Sequence, residues 1–143
     1  MQTSHEITAW RQLAAFIYDI FPVLGILLVT SLIIILVRKG AEIEPNTLWF
    51  QLLLLTEIFM YYIYSWKNGG QTLGMRAWKI KIEPNHENNS WLQLIARFLA
   101  GALSTVCLGL GIWWQYIDSK NRSWMDLASQ SRIVSTHVTR SPQ

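Results

Sequence analysis

The chain has 143 residues, room for one domain and too little for a second core. Apolar residues make up 51% of it, charged residues 15%, and mean hydropathy is positive, a balance unusual for a soluble protein and ordinary for a small helical membrane protein. The net charge of +3 sits in short loops beside apolar runs, which suits anionic lipid headgroups and argues against nucleic acid as a partner.

The opening "MQTSHEITAWRQ" reads as no signal peptide, because it carries Glu6, lacks a basic start and precedes too long an apolar run. Thr3-x-x-Glu6 fits a capping box, so residues 1–13 are expected to form an interfacial helix that runs on into the membrane. Residues 14–37 form the first expected span, with Asp19 its lone charge; residues 48–66 form the second, with Glu57 its lone charge. A helix rises ~1.5 Å per residue and the hydrocarbon core is ~30 Å thick, so roughly 20 residues suffice. In lipid every backbone polar group must be satisfied internally, which makes these runs helices. Trp49 and Phe50, then Tyr61, Tyr62, Tyr64 and Trp66, read as interface belts.

Residues 67–90 read as a basic polar loop. Within it, "GGQTLG" lacks the Lys-Ser/Thr pair of a phosphate loop and is expected to be a turn with left-handed glycines. "MRAWKIKI" alternates enough to lie on the membrane surface or to form a short strand. Residues 91–117, capped by Asn89 or Ser90, read as an interfacial turn followed by a third span containing Arg97. Gly101, Thr105 and Gly109 recur there at four-residue spacing, a seam that would admit a second helix. Residues 118–143 form a tail with a short amphipathic stretch around Trp124 and Leu127, and Asp118 ends the span. The expected fold is therefore all-α, a bundle of three transmembrane helices, with a re-entrant third segment as the alternative. Under three spans Arg11, Lys67, Arg76, Lys79 and Lys81 face Arg38, Lys39, Lys120, Arg122, Arg132 and Arg140 across the membrane, so charge leaves the orientation open.

The charges inside the runs carry the functional question. Arg11 can snorkel to the headgroups, but Asp19 cannot, and an aspartate inside a span costs roughly 2.5–3.5 kcal/mol on insertion scales. Pro22 removes the helical partner of the Tyr18 carbonyl and is expected to kink the helix, which would place two oxygens together at a candidate ion or proton site. Matched depth under three spans predicts an Asp19–Arg97 pair, with Glu57 about a turn deeper and favouring its protonated form. Such a cluster serves either as structural polar glue or as a relay for protons and small cations.

"WRQLAAFIYDIFP", "NGGQTLGMRAWKIKI", "ARF" and "NRSWMDLASQSRIV", in that order, resemble the RDD family of small membrane proteins over residues 8–134. The family is named for one arginine and two aspartates, which by matching position are Arg11, Asp19 and Asp126. Met125 stands where family members usually have a histidine, so no role of that histidine carries over. The resemblance implies a bacterial plasma-membrane protein (the inner membrane of a Gram-negative cell) with a few spans, for which cation/proton exchange has been suggested.

No enzyme or cofactor is expected. His5, His86 and His137 have no metal-ligand spacing, no serine has a nearby His and acid, and Cys107 reads as an inert thiol. Two functions of different class stay open. One is exchange of cations for protons through Asp19 and Glu57. The other is a non-transporting subunit or assembly partner, homo-oligomeric or within a larger membrane complex, that packs through Gly101, Thr105 and Gly109.

Overall fold

The computed structural model describes residues 9–84, 90–107, 109–120 and 122–136. The expected capping box at Thr3 and Glu6, along with His5, His86, Asn89, His137 and Arg140, lies outside them. The fold is mostly helical, with two or three candidate membrane-spanning helices.

Helix α1 (Ala9–Val37) and helix α2 (Leu48–Gly69) are the two long, apolar ones. α1 joins the expected interfacial helix and first span in a single run, and it continues through Pro22 without a break in helical assignment. A proline removes one hydrogen bond, but an apolar surround gives the rest of the ladder nothing else to bond to. Beyond Asp19 the helix displays its large side chains outward: Phe21, Leu28, Leu32, Leu36 and Val37 are all exposed. α2 returns and closes at Gly70, whose φ of 62° places it in the left-handed region that glycine tolerates.

Residues 67–84 of the expected polar loop are a structured part of the fold. Helix α3 (Leu73–Ala77) starts at Thr72, whose side chain accepts from the Met75 amide, and strand β1 (Ile80–Pro84) follows. Only Gly70 of the "GGQTLG" turn has a left-handed backbone, because Gly74 lies inside α3.

The third run is divided into helix α4 (Trp91–Val106), helix α5 (Leu110–Trp113) and a 3-10 turn (Trp114–Tyr116). The two halves are bent by 108°. Ser90 caps α4, its amide donating to Gln93 Oε1. The expected small-residue seam does not run along one helix. Gly109 has a φ of 80° at the bend, and the Gly101 backbone is already covered by Met125, 3.0 Å from where a Cβ would sit. Thr105 spends its hydroxyl on the Gly101 carbonyl of its own helix.

Residues 122–136 of the tail are structured as well. Helix α6 (Trp124–Ser129) leads into strand β2 (Ser131–Ser135), which pairs antiparallel with β1 so that Ile82 faces Ile133 and Lys81 faces Val134. Ile82 and Ile133 point into a core with Ala15, Ile63, Trp66, Met75, Ile80 and Leu94, while Lys81 and Arg132 alternate outward. α3, the two-stranded ribbon and α4–α6 thus gather at the open end of the α1–α2 pair as a compact head.

Candidate functional site

Asp19 lies on the face of α1 that also carries Gln12 and Ala15, a spacing of three and four residues that turns all three inward. It is 2% exposed. Oδ1 accepts from the Tyr61 hydroxyl at 2.8 Å and from the Gly74 amide at 2.8 Å, and Oδ2 accepts from the Thr72 hydroxyl. The carboxylate therefore ties the start of α3, and α2 through Tyr61, to α1. Charge-assisted bonds of this kind contribute about 1.5–3 kcal/mol each, which offsets the cost of burying the acid.

Arg11 serves the other end of the same short helix. Nη2 donates to the carbonyl of Trp78 at 2.8 Å, the residue that ends α3. Trp10 packs edge-on against the Trp78 ring, centroids 5.0 Å apart. Arg11 and Asp19 stand ~12 Å apart along α1, and α3 lies antiparallel between them. The acid meets free amides at the helix start and the cation meets a free carbonyl at its end, the arrangement that helix polarity favours. Gly74 makes the seating possible. A Cβ there would fall 1.9 Å from the Ala15 carbonyl oxygen and 2.9 Å from Asp19 Cγ, so the two backbones touch.

The expected Asp19–Arg97 pair does not form. Arg97, 2% exposed, is bound to Asp126, 3% exposed, at 2.8 Å, and the same Nη1 also donates to Ser131 Oγ at 2.9 Å and Ser129 Oγ at 3.2 Å. Its guanidinium lies 5.5 Å from the centre of the Trp66 ring. Asp126 Oδ2 accepts from the Ser123 amide and hydroxyl, closing a capping box at the start of α6. The pairing follows from sequence neighbourhood: α6 folds back directly on α4 and sets its capping acid against the arginine. Asp19 and Arg97 instead border one cavity of about 50 Å³, also lined by Gln12, Phe16, Tyr62, Ile112 and Met125.

The remaining expected site residues stand apart. The Tyr18 ring is exposed and meets Phe21 and Trp78 edge-on. Glu57 is half-buried, does not line the cavity, and its Oε2 is buried without a hydrogen-bond partner among the described residues. Asp118 binds Arg122 at 3.0 Å, which holds its carboxyl below the usual range. Cys107 is a half-buried free thiol. Among the described residues no group of three or more His, Cys, Asp or Glu could hold a metal ion.

Several partners escaped the sequence reading. Tyr61 and Trp66 read as interface aromatics, Thr72 and Gly74 as loop residues, and Ser129 and Ser131 as part of the tail. Ser123-x-x-Asp126 carried a usable signal, because that spacing before an apolar stretch is a helix-start signature.

Two apolar helices and a head tied together through buried Asp19 and the buried Arg97–Asp126 ion pair define a small helical membrane protein whose charges work between its own elements. The chain matches the RDD family over residues 8–130 and belongs to it. No curated protein and no solved structure matches.

Proposed function

We propose that the protein is a two-crossing module of a bacterial plasma membrane, acting as an assembly partner within that membrane, with its head on the cytoplasmic face. The observation that carries this reading is the Asp19 carboxylate. Both of its oxygens already accept donors from α2, the Thr72 cap and α3. An exchanger needs a carboxylate that trades a proton for a cation, and Asp19 is occupied in joining helices, as Asp126 is occupied by Arg97 and Ser123. No reaction is assigned to the chain.

Two crossings are supported by the β1–β2 ladder. β1 precedes the third apolar run and β2 follows it, and a backbone ladder forms only between segments on one side of a bilayer. The 108° bend between α4 and α5, with Leu92, Leu99, Leu103, Val106, Leu110 and Ile117 exposed, suits a segment that dips into one leaflet and returns. Arg11, Lys67, Arg76, Lys79, Lys81, Lys120, Arg122 and Arg132 then share the head side, against Arg38 and Lys39 at the α1–α2 turn. That asymmetry supports a cytoplasmic head beside anionic lipids.

Reporter tags on the two termini are expected to read cytoplasmic together; tags on opposite faces would overturn the two-crossing reading. In proteoliposomes with an imposed Na⁺ or proton gradient, flux is expected to match protein-free vesicles. A gradient-driven flux lost in Glu57→Gln or Asp19→Asn would reinstate exchange.

A further inference from the structure

We infer that the cavity inside the head is a binding site for a few ordered water molecules, which join Asp19 to the Arg97–Asp126 pair. The site is internal, so it stands whatever the chain assembles with. The cavity of about 50 Å³ brings together Gln12 and Asp19 of α1, Trp66 of α2 and Arg97 of α4. A buried water needs roughly 10–15 Å³ of such space, which leaves room for about three.

Three of the lining residues carry a buried polar atom with no partner among the described residues: Arg97 Nε, Trp66 Nε1 and Gln12 Oε1. The first two are N–H groups that only donate, and neither loses its proton in the physiological range, so each needs an acceptor. They are neighbours, the guanidinium carbon standing 5.5 Å from the centre of the Trp66 ring. Acceptors border the same space. Gln12 has spent its amide nitrogen on Gln115 at 3.0 Å, which leaves its oxygen to be met. Asp19 Oδ2 accepts from the Thr72 hydroxyl, and a carboxylate oxygen has capacity for a second bond.

The guest must therefore accept from two N–H groups and donate to two oxygens. Water does both. A halide only accepts, and the Asp19 carboxylate on the same wall repels it. A metal ion or an ammonium cannot accept from a guanidinium or an indole. An apolar guest leaves all three atoms unpaired, which buried polar groups seldom are. Asp19 and Asp126 are held by different protein partners, yet water between Asp19 and Arg97 Nε links them, because Arg97 Nη1 holds Asp126 at 2.8 Å. Bonds chained in this way polarise and strengthen one another.

Nuclear magnetic resonance of the isotope-labelled full chain in lipid nanodiscs tests this. Loss of a signal in Trp66→Phe assigns the Trp66 indole, and loss in Arg97→Lys assigns the Arg97 Nε–H; backbone connectivities give the same assignments without a variant. In the unaltered chain both signals are expected to cross-relax with water protons at the strength of water held for as long as the protein tumbles. The Tyr62 ring lies beside Trp66 and its hydroxyl proton exchanges with solvent, so the cross-peaks must survive in Tyr62→Phe. Asp19→Asn is expected to shift the Arg97 Nε–H signal, and Glu57→Gln, outside the cavity, to leave it in place. Absence of the cross-peaks, their loss in Tyr62→Phe, or relaxation typical of fleeting surface water would overturn the inference. A saturable shift of the Trp66 signal with added chloride would give the site to an anion instead. An Arg97 signal indifferent to Asp19→Asn would break the link between the two acids, and either result rejects the inference as well.

Discussion

Gly74→Ala is expected to destabilise the protein by more than about 3 kcal/mol, the range reached when a buried contact cannot relax. A glycine inside a helix ordinarily costs roughly 0.5–1 kcal/mol relative to alanine, so the usual sign of this substitution is stabilising. Here the added carbon would sit 1.9 Å from the Ala15 carbonyl oxygen, and that oxygen belongs to the rigid backbone of α1. To make room, α3 must lift away. Lifting it stretches the Gly74 and Thr72 bonds to Asp19 and the Arg11 bond to Trp78 together, since all three span the same pair of helices. Gly25→Ala is the control, because a Cβ at Gly25 meets nothing within 4 Å. Thermal unfolding of both variants in detergent should move in opposite directions. Equal behaviour would mean that α3 does not rest on α1.

How much of this was legible in the sequence depends on the range of the interactions. Two long apolar helices follow from run length and the demand that lipid places on backbone bonds, both of which act locally. A lone acid in the first run also signals that something must shelter it. Which groups do so is not readable, because Tyr61, Thr72 and Gly74 lie 42, 53 and 55 residues away in sequence. Matching depths across helices brought Asp19 and Arg97 to one cavity but not into a pair, because Asp126 takes the arginine once the tail folds back on the third run. Gly109 turns it, and Gly111 lets α5 close against Ser104, 2.7 Å from where a Cβ at Gly111 would sit. Composition alone does not distinguish a helix that crosses from one that bends back, since both are apolar. The β1–β2 pairing was half visible: "KIKI" alternates, but its partner lies beyond the apolar run, and nothing local links the two.

Asp126→Ala is expected to cost about 3–5 kcal/mol, the loss found when one member of a buried ion pair is removed. Arg97 would remain at 2% exposure with, among the described residues, the Ser129 and Ser131 hydroxyls and the Trp66 ring around it and Asp19 across the shared cavity. Asp126 also caps α6 through Ser123, so two contributions need separating. Ser123→Ala keeps the ion pair while removing the cap hydroxyl and its bond to Asp126, and should cost ~1 kcal/mol. The double variant Arg97→Met with Asp126→Leu removes both charges and should recover most of the Asp126→Ala loss, because apolar side chains of similar size replace a buried pair at little net cost. Melting the four proteins in detergent measures the coupling. A double variant no more stable than Asp126→Ala would mean that the pair does more than cancel charge. The Ser131 bond gives that outcome a physical meaning: the guanidinium fixes where β2 begins, hence its register against β1, and a methionine would leave that register unset.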